Sequence, residues 1–273
     1  MLYCDYHTHT TFSDGENTPE EMILEAIRRG MPELGISDHS YTAFDERYCI
    51  QKDRREEYRH ELKELQEKYA GRILLRRGLE QDYWGEEPVE EPEYLIGSVH
   101  YVRCRGAYLA VDDGAEKLLG EVRDYFKGDI YAFCEAYYEL VGGVAEKTGC
   151  QIIGHFDLVT KFMEKTQILD PEHPRDIAAW QQATDRLLSS GCLFEINTGA
   201  RRRGYRTGPY PRPDILQYLQ ERGGRFILSG DSHSAAALCF EFERFADPDL
   251  PLALPGGSPG LLFRVPPAGK KQE

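Results

Sequence analysis

Eight histidines are spread over 273 residues, and six of them fall in short polar clusters. Seven clusters share this character: Asp5-Tyr6-His7-Thr8-His9, Ser37-Asp38-His39, Gly78-Leu79-Glu80, Gly97-Ser98-Val99-His100, Gly154-His155-Phe156-Asp157, Glu195-Ile196-Asn197-Thr198 and Ser229-Gly230-Asp231-Ser232-His233. Imidazole and carboxylate together make a ligand set for divalent transition metals. A metal held by such a set can activate water as a nucleophile near neutral pH, so no Ser or Cys nucleophile is required. One H-x-H pair alone is more often an ordinary surface or core pair. The metal reading rests on the whole set, because a buried His or Asp without a partner costs several kcal/mol.

Something must bring these clusters together. Each ends a short apolar run, at residues 2–6, 34–36, 73–75, 94–96, 151–153, 193–196 and 226–228. Most of the runs are separated by segments of helical period. Continuous apolar runs between helices indicate a parallel sheet covered by helices. If that sheet closes into a barrel, all the C-terminal strand ends meet at one rim, where barrel enzymes build their sites. Residues i and i+2 of a strand share a face. His7 with His9, His155 with Asp157, and Asp231 with His233 should therefore point together. Thr18, Pro19 and Glu21 predict a capped helix start. Further helices are predicted near 53–69, 129–147, 174–190 and after Pro213. His60 and His173 fall outside the clusters. No internal repeat or flexible linker appears, so residues 1–273 read as a single domain. Residues 248–273 hold six of the 15 Pro and read as an irregular cover and tail, with a short strand at 261–265.

Composition narrows the partners. Lys and Arg number 33 against 47 Asp and Glu, a net charge of −14. That opposes general attraction to nucleic acid or to an anionic membrane. No stretch is apolar enough to span a bilayer, and the N-terminus lacks the form of a signal peptide. Seven Cys with irregular spacing and no C-x-x-C argue against a disulfide framework or zinc-thiolate site, and favour the cytoplasm.

The motifs His7-Thr-His9, Ser37-Asp-His39, Gly78-Leu-Glu80, Ser98-Val-His100, Gly154-His-Phe-Asp157 and Gly230-Asp-Ser-His233 resemble those of the PHP (polymerase and histidinol phosphatase) superfamily. The resemblance covers about residues 3–240. Tyr94-Leu-Ile-Gly-Ser-Val-His100 and Glu195-Ile-Asn-Thr198, followed by an Arg-rich loop, are most similar to the histidinol-phosphate phosphatase branch. The resemblance implies an α/β fold, a distorted (β/α)7 TIM-like barrel, with three divalent metal ions. His7, His9, Glu80 and Asp231 would hold the first. Glu80 would bridge to a second, completed by His100 and His155. His39 and His233 would hold the third, with Asp14 as the candidate to finish it, or else a turn residue before Gly15. Asp5, Asp38, Asp157 and Glu195 would orient ligating imidazoles. Zn, Mn and Fe suit such ligands alike.

An anionic substrate needs local positive charge. Arg201-Arg202-Arg203-Gly204-Tyr205-Arg206 offers four Arg in six residues directly after the sixth run. Arg presents a planar fork to phosphate. By resemblance Arg201 is the first choice for that contact, with Arg202 and Arg203 open; the alternative is a solvated basic turn. Lys161 is a second candidate. The acidic loop 84–93 is either a solvated loop or a partner for a cationic substrate. Asp157 or a metal-bound water would protonate the leaving group. These features predict a metal-dependent phosphatase acting on a small phosphorylated substrate, histidinol phosphate by resemblance. Rivals are a PHP hydrolase acting on a nucleotide phosphomonoester or phosphodiester, and an accessory PHP domain without catalysis. Oligomeric state is not legible in the sequence.

Overall fold

The computed structural model describes residues 3–246. In chain order they form α1 (Pro19–Arg28), β1 (Glu33–Ile36), α2 (Arg55–Lys68), β2 (Leu74–Asp82), β3 (Tyr94–Ser98), β4 (Tyr101–Cys104), β5 (Ala107–Ala110), α3 (Ala115–Phe126), α4 (Ile130–Thr148), β6 (Ile152–Ile153), α5 (Met163–Thr166), α6 (Pro174–Leu188), β7 (Leu193–Asn197), α7 (Gly199–Arg202), α8 (Pro213–Glu221), β8 (Arg225–Ser229) and α9 (Phe242–Phe245). Among the described residues no helix is long and apolar enough to cross a membrane. The tail and the strand expected at 261–265 lie outside them.

Local chemistry explains the helix ends. Thr18 Oγ1 accepts from the Glu21 N–H while the Glu21 carboxylate accepts from the Thr18 N–H, and Pro19 opens α1. Asp129 caps α4, and Gly149, with φ 69°, ends it.

Six strands pair in parallel in the order β1-β2-β3-β6-β7-β8. The first apolar run makes bridges rather than a full strand, yet it closes the ring. On one side Asp5 bridges Leu34, and the Gly35 N–H donates to the Asp5 carbonyl at 2.8 Å. On the other Thr8 bridges Ser232, and the His9 N–H donates to the Ser232 carbonyl at 2.9 Å. The result is a distorted TIM-like barrel. Its interior is plugged by Cys4, Tyr6, Tyr94, Ile96, Ile152, Leu193 and Ile227, one layer below the polar strand ends. Two larger apolar clusters seat α1 and α2 on one flank and α4, α6 and α8 on the other. Burying an Ile or Leu side chain contributes about 1.5–3 kcal/mol. The apolar layers thus offset the cost of a polar layer above them.

The elements not anticipated are α3, the β4–β5 hairpin and the short helices α5, α7 and α9. The hairpin's signal was Arg105-Gly106, which takes positive φ at both residues, 49° and 86°.

Candidate metal centre

Glu80 sits near the end of β2, 1% exposed, with imidazoles around both carboxylate oxygens. Oε2 lies 3.1 Å from His7 Nε2, 3.6 Å from His9 Nε2 and 2.8 Å from His39 Nδ1. Oε1 lies 2.9 Å from His155 Nε2 and 3.4 Å from His100 Nε2. Asp231 Oδ1 reaches His9 Nε2 at 3.3 Å. Asp14 stands between His39 Nε2, at 3.6 Å, and His233 Nε2, at 3.3 Å, with His9 Nδ1 at 3.9 Å. The structure thus brings all nine predicted ligands together. Their donor atoms fall in four overlapping groups: His9, Asp14, His39 and His233; His7, Glu80 and His155; His7, His9 and Asp231; His39, Glu80 and His100. Within each, the donors lie within 4.8 Å of one another. His60 is exposed on α2 beside Glu64, and His173 caps α6 and stacks on Tyr131, both away from this centre.

The donor set fits metal ions. His7 Nε2, both nitrogens of His9 and Glu80 Oε2 are buried and make no well-directed hydrogen bond, although imidazole and carboxylate atoms crowd one another at ion-pair distance. Such orphans are costly unless a ligand takes their lone pairs. Two imidazoles are oriented from behind. His7 Nδ1 meets Glu195 Oε1 at 2.7 Å, and His100 Nδ1 meets Asp82 Oδ2 at 3.1 Å. Donation at Nδ1 leaves the Nε2 lone pair facing the cluster, as a metal-ligating His requires.

Electrostatics agree. Burial opposes ionisation of Glu80, but His7, His39 and His100 outweigh it and hold the carboxyl well below its usual range. Burial and the neighbouring His233 and His39 push His9 down to about 3, so its ring is neutral and able to ligate. Asp231 is held far down despite burial, by the Arg203 guanidinium first and then His7.

Above the cluster lies a cavity of about 520 Å³. Asp14, His39, His100, His155, Asp231 and His233 line its floor, with Arg203, Lys161, Tyr48, Asp45 and Asp112 among its wall residues.

A PHP domain match spans residues 5–199. The chain belongs to the PHP family. This PHP chain is 32% identical over 255 residues to the Deinococcus radiodurans "Probable histidinol-phosphatase", covering 89% of this chain and 90% of that one. A Listeria monocytogenes structure provisionally named a histidinol phosphatase superposes with a TM-score of 0.75 at 21% identity, over 89% of this chain and 99% of that one. Histidinol phosphate phosphatase of Lactococcus lactis, solved with Zn, L-histidinol and phosphate, superposes with a TM-score of 0.62 at 23% identity, over 85% of this chain and 87% of that one.

Some expected positions in this PHP barrel are corrected. Arg201 turns away from the cavity, paired with Glu241 and the Thr207 carbonyl, and Arg202 lies over Phe240. Arg203 is the arginine of the triplet that lines the cavity, with Nη2 2.7 Å from Asp231 Oδ2. Helix α7 causes this: on one short turn, three successive arginines point in three directions. Asp157 does not share a face with His155. β6 ends at Ile153, so strand alternation has lapsed by then. Asp157 is instead fully buried outside the cavity lining, with Oδ2 3.1 Å from Arg206 Nη1 and accepting from Thr160 and the Arg212 N–H. It neither orients an imidazole nor reaches the cavity to donate a proton. Asp5 accepts from the N–H groups of His7, Gly230 and Cys239 and from Ser232 Oγ, so it ties backbone rather than an imidazole. Asp38 likewise holds Thr10 and Ser13, the loop that presents Asp14. Of the four residues expected to orient imidazoles, Glu195 is the one found doing so. In the acidic loop, Glu86, Glu90 and Glu91 pair with Lys52, Arg55, Arg59 and Lys63 and do not line the cavity.

Two residues at the candidate site were missed. Asp82 supports His100, and its signal was the i, i+2 spacing from Glu80 on one strand. Asp112, whose Oδ2 is 3.1 Å from Lys161 Nζ, comes from the link after the unanticipated hairpin.

Proposed function

We propose that this PHP protein is a metal-dependent phosphomonoesterase that hydrolyses L-histidinol phosphate to L-histidinol and phosphate. The observation that carries it is Glu80 with five imidazoles around its two oxygens, beneath a cavity that also presents Arg203 and Lys161. The curated relatives' names and the ligands of the Lactococcus structure support the substrate.

In this reading His7, His9, Glu80 and Asp231 hold one ion. Glu80, His100 and His155 hold a second, and Asp14, His39 and His233 a third. Zinc is the ion of the Lactococcus structure, and Mn and Fe suit the same donors. Ions in such a set polarise phosphoryl oxygens and lower the pKa of water. The chain's own residues do the rest. Glu195 and Asp82 keep His7 and His100 in register. Arg203 and Lys161 offset phosphate charge at the wall. Asp45, Asp112 and Asp113, also at the cavity, suit a substrate whose organic part is cationic. Because His7 and His233, from opposite ends of the described chain, serve one centre, the chain works as one barrel domain. Seven free thiols fit a reducing, cytosolic setting.

The test is steady-state kinetics of Zn-, Mn- and Fe-loaded protein on a panel of phosphate esters. Histidinol phosphate should give the highest kcat/KM, and chelation should abolish turnover. Faster hydrolysis of a nucleotide or a phosphodiester would overturn the substrate assignment, and unchanged turnover after complete metal removal would overturn the mechanism.

A further inference from the structure

Two successive units of the barrel begin their strands in the same way. α4 stops at Thr148, Gly149 turns at φ 69°, Cys150 follows, and β6 starts at Ile152. α6 stops at Leu188, Gly191 turns at φ 74°, Cys192 follows, and β7 starts at Leu193. β6 and β7 pair with Ile152 opposite Leu193, and the Leu193 N–H donates to the Gln151 carbonyl at 2.9 Å. Cys150 and Cys192 are therefore neighbours, one residue out of register, at the N-terminal end of the barrel. Adjacent strands about 4.8 Å apart with a rise of about 3.3 Å per residue put such Cα atoms roughly 6 Å apart. That is inside the span a disulfide bridges.

The side chains confirm the juxtaposition. The Cys192 thiol donates to the Cys150 carbonyl at 3.1 Å, so the two residues stand side by side. Both line a surface cavity of about 400 Å³ together with Gly149, Glu146 and Ser190. Cys150 is 6% exposed, whereas Cys192 is half-buried and open to small reagents.

We propose that Cys150 and Cys192 form a peroxide-sensitive thiol pair, a modification site at the opposite end of the barrel from the metal centre. The Cys192 thiolate attacks one oxygen of hydrogen peroxide, the O–O bond breaks, and the departing hydroxide takes a proton to become water. The sulfenic acid left on Cys192 is then attacked by the Cys150 sulfur. The S–S bond forms, the S–O bond breaks, and water leaves with the Cys150 proton. Two thiols are oxidised by two electrons, and one peroxide is reduced to two waters. The neighbouring Cys150 thiol first, then Ser190 and Arg225, draw the Cys192 thiol below its usual range against burial, while the same contact and burial hold Cys150 up, so Cys192 is the thiol that ionises first.

The experiment treats metal-loaded protein with equimolar hydrogen peroxide at pH 7 and maps peptides by mass spectrometry without reduction. The expected product is a Cys150–Cys192 cross-link, lighter by about 2 Da and reversed by dithiothreitol. Cys150→Ser should lose the cross-link and trap dimedone on Cys192. Independently of any variant, iodoacetamide at pH 7 should label Cys192 about tenfold faster than Cys104, which is also partly exposed. Labelling of Cys192 no faster than Cys104, or cross-links that join other cysteines while this pair stays reduced, would overturn the proposal.

Discussion

At the residue scale the proposed centre hangs on one carboxylate. Glu80 meets three imidazoles through Oε2 and two through Oε1, so in the proposed function its loss would remove a ligand from more than one ion. Losing a group that merely supports a ligand costs about 10–100-fold in metal affinity or activity. Glu80→Ala should therefore lose more than 100-fold in kcat and retain fewer ions than Glu195→Gln, as counted by plasma mass spectrometry after gel filtration. Equal metal content in the two variants would contradict a bridging role. The arginines make a second prediction. A charge-assisted contact is worth about 1.5–3 kcal/mol, so Arg203→Ala should lose roughly 10- to 150-fold in kcat/KM, mostly through KM. Arg201→Ala, which breaks a rim contact to Glu241, should stay within about threefold of wild type by the same scale. The reverse order would return the phosphate to Arg201. All nine candidate ligands were named from the sequence, eight of them in the polar clusters and Asp14 by the resemblance to the PHP motifs. The correct arginine was not singled out, because position on a one-turn helix is settled by which neighbours stand around it.

At the element scale, the segment from β7 to α8 is held down by buried ion pairs. Arg206 Nη1 lies 3.1 Å from Asp157, and Arg212 Nη2 lies 2.6 Å from Asp176, all four side chains being buried. Arg206→Ala would strand the Asp157 carboxylate in the interior, and breaking a buried pair costs about 3–5 kcal/mol. Chemical denaturation should show that loss, with KM for the substrate raised because Arg203 sits on the loosened segment. Arg206→Ala combined with Asp157→Ala should recover part of the stability. If the double variant is as unstable as the sum of the single ones, the pair is not the anchor. Asp157 was expected at the centre because i and i+2 share a face. The expectation failed where the strand stopped, two residues before His155.

At the scale of the whole molecule, closure of the ring depends on space as well as on hydrogen bonds. The Tyr94 ring fills the barrel interior, its hydroxyl donating to the Tyr6 carbonyl at 2.5 Å, and a Cβ placed on Gly78 would collide with that ring. Overpacking a tight core costs about 1–3 kcal/mol. Gly78→Ala should lose that much stability in denaturant unfolding, and Gly78→Ala with Tyr94→Leu should lose less than the sum of the two. Strict additivity would show that the ring is free to move aside. The amino-acid sequence by itself determined the apolar runs, the helix caps between them and the polar residues that follow each run. All of these are local consequences of side-chain chemistry and backbone geometry, and together they imply a barrel with imidazoles and carboxylates at one rim; the assignment of candidate ligands came from the resemblance to the PHP motifs. Only the tertiary structure decided that residues 5–8 close the ring by bridges, that Asp82 joins Glu195 in orienting imidazoles while Asp5 and Asp38 brace backbone, and that Arg203 rather than Arg201 faces the cavity. Each of those outcomes is a choice among polar partners of similar chemistry. It is settled by which of them the packed barrel brings within hydrogen-bonding distance, and spacing along the chain does not encode that.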